Sequence, residues 1–328
     1  MLNGLTRFLG PYLERSGALM EQKLGSDISL LNKTNRALLE NSGKQLRPIL
    51  CLLSAMAAGG KDPNEASVHF AAASELLHNA TLLHDDVVDD SPLRRGKPTV
   101  MSLLGSRPSV LIGDYWLVKA LECVLDAPDA DVHRVIRLFS DTLTCLASGE
   151  MLQMQMAFSG KTGEAEYLRI IHDKTVSLFE TAALSGAISL AATPAASEAV
   201  VEYARCLGLA FQIQDDILDY VGGEQLGKPV GSDLMEQKIT LPLLGAFVGA
   251  GDKEMEEQIR RKVVDIAAHP EYRDEILAFV KEHSGIAYAQ RRMQEYLGYA
   301  REALSPLPET EAKGWMLRLA DYLQTREY

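Results

Sequence analysis

At 328 residues the chain is long enough for one large domain or two, and 47% hydrophobic with 24% charged residues is an ordinary globular composition able to bury a sizeable core. The formal charge of −12, with no basic stripe, excludes a nucleic-acid footprint, although local lysines and arginines joined to bound metal can reverse the sign inside a cleft. Cys51, Cys123, Cys145 and Cys206 lack the paired spacing of a zinc site, redox dithiol or disulfide framework, so free thiols in a reducing cytoplasm are expected.

The first thirty residues carry Arg7, Glu14, Arg15 and Glu21 and no signal-peptide apolar stretch. Beyond them Ala, Leu, Met, Gln and Glu dominate, and sustained apolar–polar alternation is hard to find, which predicts an all-α protein. Breakers at Gly59-Gly60 to Asn64, Ser91 to Pro98, Gly105 to Pro108, Ala127 to Ala130, Ser159 to Gly163, Thr193-Pro194, Gly222 to Gly231 and Gly249 to Asp252 separate roughly ten helical segments. Lys44 and Arg47 stand just before a proline-started apolar run, as anchors at a cleft rim.

Ala71 to Asp90 is predicted as one long helix ending in Asp85-Asp86-Val87-Val88-Asp89, with His78 two turns before Asp85 on nearly the same face. The loop after it brings Arg94-Arg95-Gly96-Lys97-Pro98. Thr181 to Ala196 is short and rich in small residues, a buried helix rather than a membrane span. Ser197 to Tyr220 repeats the first arrangement: it ends in Asp215-Asp216-Ile217-Leu218-Asp219 and hands over to Gly227-Lys228-Pro229-Val230-Gly231-Ser232-Asp233. With no low-complexity linker and no internal repeat, one large helical domain over residues 1–328 is expected.

Asp85 with Asp89, and Asp215 with Asp219, stack one turn apart on a helix face. Carboxylates held that way make poor core and good Mg²⁺ ligands, because magnesium takes one or two carboxylates and completes its octahedron with water and substrate phosphates. A single acidic triplet fits a solvated helix face equally well. Two copies, each followed by a basic glycine loop, point to a diphosphate gripped from both sides.

At these residues the chain resembles the trans-isoprenyl diphosphate synthases of the polyprenyl synthetase family, from about Asn41 to Arg326. The matching segments, in the family's order, are Gly43-Lys44-Gln45-Leu46-Arg47-Pro48, Glu75-Leu76-Leu77-His78, the first aspartate motif with Arg94-Arg95-Gly96, Lys174-Thr175, Phe211-Gln212 with the second motif, and Lys228 through Lys238-Ile239-Thr240-Leu241-Pro242. The resemblance implies a helical bundle around a deep central cavity, normally a homodimer, that joins isopentenyl diphosphate to an allylic diphosphate. Carried over by position, Lys44, Arg47, His78 and Arg95 would bind isopentenyl diphosphate. Asp85, Asp89 and Asp215 would hold Mg²⁺ bridging the allylic diphosphate, with Asp86, Asp216 and Asp219 on the metal or immediately behind it. Arg94, Lys174, Thr175, Gln212, Lys228 and Lys238 would contact the allylic substrate. Gln153 and Gln155 also resemble a family segment, with packing as their expected role.

Product length is open to helix geometry. Short-chain members usually carry an aromatic four or five residues before the first aspartate, and this chain has Thr81 and Ala80 there. Ala73 lies on nearly the same face about 10 Å deeper. His69, Phe70 or Trp116 are the candidates to close the end. A medium- or long-chain product is therefore expected, with a short-chain synthase as the alternative. Alanines at these positions would also simply allow close helix packing. A terpene cyclase is disfavoured by the second aspartate triplet, and a non-catalytic partner subunit by the presence of all six aspartates.

Overall fold

A computed structural model describes residues 2–41, 43–222 and 230–324. In chain order the elements are α1 (Leu2–Lys23), α2 (Ser29–Glu40), α3 (Leu46–Gly59), α4 (Glu65–Val88), β1 (Leu93–Arg94), β2 (Lys97–Pro98), α5 (Val100–Leu104), α6 (Ser106–Leu125), α7 (Val132–Ser159), α8 (Glu164–Ile171), a π-helical turn π1 (His172–Val176), α9 (Ser177–Ser189), α10 (Pro194–Val221), α11 (Ser232–Met235), α12 (Leu241–Ala250), α13 (Lys253–Val264), α14 (Tyr272–Glu282), α15 (Gly285–Ala303) and α16 (Glu311–Gln324). The all-α expectation holds. Short pieces such as α5 and α11 divide the chain more finely than the sequence breakers do.

Two compact units are formed, the first from Met1–Asp141, Leu178–Val201 and Leu304–Met316, the second from Thr142–Ser177, Glu202–Ala303 and Leu317–Tyr328. The spine of the first is α4, which packs on α6, α3 and α1. It buries Val68, Phe70, Ala73, Leu76, Leu77, Ala80 and Leu83, so it is apolar nearly all round, as a central helix must be. Each buried leucine contributes roughly 1.5–3 kcal/mol to holding it there. The helix begins before Ala71, because Asn64 and Ser67 form a reciprocal cap: the Asn64 side chain accepts from the Ser67 N–H at 2.9 Å and the Ser67 hydroxyl from the Asn64 N–H at 3.2 Å.

Past Val88, Leu93 and Arg94 pair antiparallel with Pro98 and Lys97. Arg95 and Gly96 at the tip have φ of 52° and 74°, the double positive φ of a type I′ hairpin turn. Two-residue strands are too short to show alternation, so the sequence reads this segment only as a loop.

In the second unit α8 runs straight into π1, which carries Lys174 and Thr175. Gly149 of α7 makes this turn possible: a Cβ there would stand 2.8 Å from Asp173 Cβ and 3.0 Å from Lys174 Cγ. The apolar helix α12 packs on α15, α14 and α13. Helix α10 starts at Pro194 rather than Ser197, with the Thr193 hydroxyl accepting from the Ala196 N–H at 3.3 Å and proline at the first helical position. Among the described residues no helix is long and apolar enough to cross a membrane.

Candidate active site

In the first unit the acidic motif lies at the C-terminal end of α4. Asp89 is the C-cap, its N–H bonded to the Asp85 carbonyl at 2.8 Å. Asp85 is half-buried and Asp89 exposed, one turn apart at the negative end of the helix dipole, where a cation is favoured. Asp86 between them is buried and accepts from Arg94 Nε at 2.7 Å. Burial pushes the Asp86 pKa up, and the Arg94 guanidinium opposes that shift. Arg94 of β1 is thus committed to an aspartate at the foot of the hairpin.

Around the same helix the structure gathers the basic residues expected to hold an anion. Arg47 of α3 lies over the Phe179 ring at 5.0 Å, and its enclosed Nε has no hydrogen-bond partner. Burial lowers its pKa to about 10, against the attraction of buried Glu75, whose Oε2 is also unpartnered. His78 is held well below its ordinary 6.5, first by burial and then by Arg47, Arg95 and Arg94, so it is neutral near pH 7. Arg95 Nη1 donates to the Asn41 carbonyl at 2.9 Å, and Lys97 bonds the Asn41 side chain, which ties the hairpin to the segment leading into α3. Lys44 is exposed on that segment.

The second unit contains a cavity of about 170 Å³ whose lining includes Gln153, Tyr167, Lys174, Thr175, Gln212, Asp216, Asp233 and Lys238. Lys174 Nζ donates to Gln153 Oε1 at 2.9 Å and pairs with Glu150 at 2.7 Å. The Thr175 hydroxyl donates to Gln212 Oε1 at 3.0 Å, and Gln212 Nε2 donates to Asp216 Oδ1 at 2.9 Å. The Tyr167 hydroxyl donates to Asp216 Oδ2 at 2.7 Å. Burial and the neighbouring Asp233 carboxylate push the Asp216 pKa well above 3.8, and these two hydrogen bonds oppose them. Burial and Asp216 raise the Tyr167 pKa well above 10, so the phenol keeps its proton. Lys238 pairs with Glu236.

Asp219 does a different job. Its Oδ1 accepts from the Ser232 N–H at 3.1 Å and the Ser232 hydroxyl at 2.6 Å, and its Oδ2 from the Asp233 N–H at 3.2 Å, so it anchors the start of α11. Asp215 is half-buried beside Asp216 on α10.

Of the residues singled out in the sequence, Arg47, His78, Arg94, Arg95 and the first aspartates come together in one unit, and Lys174, Thr175, Gln212, Asp216 and Lys238 in the other. Lys228 lies outside the described residues. Gln153 is a correction: instead of packing, it accepts from Lys174 at the cavity wall. The sequence passes over Tyr167 and Glu150, whose partners are remote in sequence, and takes Ser232 and Asp233 only as part of the loop after the second motif.

Among the described residues no three His, Cys, Asp or Glu side chains cluster closely enough to cage a metal by themselves. Magnesium does not require such a cage, since carboxylate pairs with substrate phosphates suffice. Asp86, Asp216 and Asp219 each accept from protein donors.

The sequence profile of the polyprenyl synthetase family matches residues 28–276. The octaprenyl diphosphate synthase of Haemophilus influenzae is 35% identical over 328 residues, covering 100% of this chain and 98% of that protein. The crystal structure of a decaprenyl diphosphate synthase from Rhodobacter capsulatus matches with a TM-score of 0.91 at 33% identity, over 99% of each chain. A polyprenyl synthase from Caulobacter crescentus, complexed with calcium and isoprenyl diphosphate, matches with a TM-score of 0.90 at 32% identity, over 100% of this chain and 98% of that one. Two aspartate-bearing helix ends, the basic hairpin and the Lys174–Thr175 turn occur in a chain that matches these synthases along its whole length, and it therefore belongs to the polyprenyl synthetase family of all-α prenyltransferases.

Proposed function

We propose that this prenyltransferase condenses isopentenyl diphosphate with an allylic diphosphate to give an all-trans polyprenyl diphosphate of medium or long chain, of the kind used for quinone side chains, and that residues 1–328 act as one polyprenyl synthetase domain. The observation that carries the reading is the cavity lined by Lys174, in which the Thr175 hydroxyl and the Gln212 amide form a hydrogen-bonded array with Asp216 of the second aspartate motif. The octaprenyl and decaprenyl products named for its relatives support the chain length.

Carbon–oxygen cleavage of the allylic substrate leaves negative charge on the departing diphosphate. Asp85, Asp89 and Asp215 would hold Mg²⁺, whose charge neutralises that diphosphate when bound; calcium with an isoprenyl diphosphate in the Caulobacter relative supports a divalent ion. Lys174, Lys228 and Lys238 donate to its oxygens and stabilise the transition state more than the ground state. Thr175 and Gln212 face the allylic cation with oxygen lone pairs. Lys44, Arg47, neutral His78 and Arg95 hold isopentenyl diphosphate, whose double bond captures the cation; binding both substrates spares the reaction a bimolecular search.

On α4, Ala80 and Ala73 put no aromatic on the face below Asp85 that would stop a growing chain, and the fully buried Trp116, which donates to Asn35 Oδ1 at 2.8 Å, is the candidate to stop it deeper. A homodimer is supported by the stripe Leu111, Val118 and Leu125 on α6, spaced by seven and 68%, 52% and 58% exposed. The enzyme acts in the cytoplasm.

The test is incubation of purified protein with Mg²⁺, isopentenyl diphosphate and an allylic primer, then reverse-phase sizing of the dephosphorylated products. Products longer than geranylgeranyl are expected, and Ala80→Phe should shorten them. Products no longer than geranylgeranyl overturn the chain-length part; isopentenyl diphosphate left unconsumed overturns the whole reading.

A further inference from the structure

The cavity array has a direction that one phenol imposes. Asp216 accepts a hydrogen bond at each of its two carboxylate oxygens, so its geometry settles which way both partners face. It receives one from Tyr167 on Oδ2 at 2.7 Å and one from Gln212 Nε2 on Oδ1 at 2.9 Å. Once the amide NH₂ faces Asp216, the amide oxygen has to face Thr175, and it accepts the threonine's only hydroxyl proton at 3.0 Å. A hydroxyl that has given its proton away presents nothing but lone pairs to the cavity. That polarity suits a carbocation, whereas the reverse polarity would point a proton at it. Tyr167 is 3% exposed and belongs to α8, which leads directly into the turn carrying Thr175, so one residue ties α10 to the segment it orients.

We propose that Tyr167 is a positioning residue for prenyl transfer: its hydroxyl fixes the Asp216 carboxylate, which sets the Gln212 amide, which turns the Thr175 lone pairs toward the allylic cation. This rests on the reading of the cavity as the allylic site. Without the phenol, Asp216 rotates and the Gln212 amide can flip, so that Nε2 donates to Thr175 and its hydroxyl proton turns into the cavity.

The experiment is a double-mutant cycle of Tyr167→Phe and Thr175→Val, with kcat and both KM values measured and thermal unfolding recorded. Tyr167→Phe should lower kcat about tenfold, the scale of one lost hydrogen bond to a charged group, with the KM for isopentenyl diphosphate within about twofold. In the Thr175→Val background the same change should cost less than about twofold, because the two residues act in series. A kcat for Tyr167→Phe within about twofold of wild type overturns the proposal, and so does a double mutant that loses the product of the two single effects. Should Tyr167→Phe melt too early to assay, Tyr167→Met, which refills the space flexibly, replaces it in the same cycle. A wild type that leaves isopentenyl diphosphate unconsumed overturns the functional reading, whereas an active wild type with an additive cycle overturns only the role of Tyr167.

Discussion

The two aspartate motifs are spelled alike and set differently. On α4 the middle carboxylate, Asp86, is buried against a guanidinium, and the last, Asp89, is the exposed cap of its own helix. On α10 the middle carboxylate, Asp216, is buried against a phenol and an amide with another acid nearby, and the last, Asp219, caps the next helix instead. Burial without a cation demands neutral donors, and one of them, the Gln212 amide, accepts in turn from Thr175. The first motif is thereby wired to a basic hairpin and the second to the wall of the cavity. Identical triplets acquire different duties from their tertiary partners.

The comparison can be broken most severely through what the motifs are expected to share. Chelation by EDTA should abolish condensation and added Mg²⁺ restore it; turnover that survives EDTA would remove the common role. Asp85→Ala and Asp215→Ala should each lower kcat/KM about a thousandfold, since each removes a carboxylate that brings charge to the leaving group. If one of them retains near wild-type turnover, the motifs are not equivalent even in their outer residues. Arg94→Met probes the difference: it strands buried Asp86 without its cation and should cost about 1–3 kcal/mol in urea unfolding, nearer the low end because Arg94 is 36% exposed. Smallest is the contrast between the last aspartates. Asp219→Ala removes a cap and should cost about 1 kcal/mol, whereas Asp89→Ala, at an exposed helix end, should stay within about 0.5 kcal/mol.

Much of this architecture is legible in the sequence, because helix periodicity and two acidic triplets are strong local signals. What escapes is instructive. The start of α4 is missed because Asn64 closes a turn-like cluster and is read as part of the breaker, although its spacing to Ser67 is that of a reciprocal cap. The π turn has no signature of its own; the one hint is Gly149, which looks like any helical glycine until Lys174 is placed against it. Tyr167 goes unremarked in the sequence, and it is buried in the structure. Its hydroxyl matters because of Asp216, a partner in another helix that no pattern within α8 can announce. Gln153 is misread for the same reason, since Lys174 lies on a separate element.

The tip of the β1–β2 hairpin has a consequence for evolvability. A left-handed backbone is costly for a residue with a Cβ such as arginine, by roughly 1–2 kcal/mol, and Asn-Gly is the pairing that a type I′ turn favours. The chain nevertheless places Arg95 there. Arg95→Asn should therefore relieve the turn while forfeiting the guanidinium proposed to bind diphosphate, and under that proposal selection for ruggedness and selection for throughput pull this single position in opposite directions.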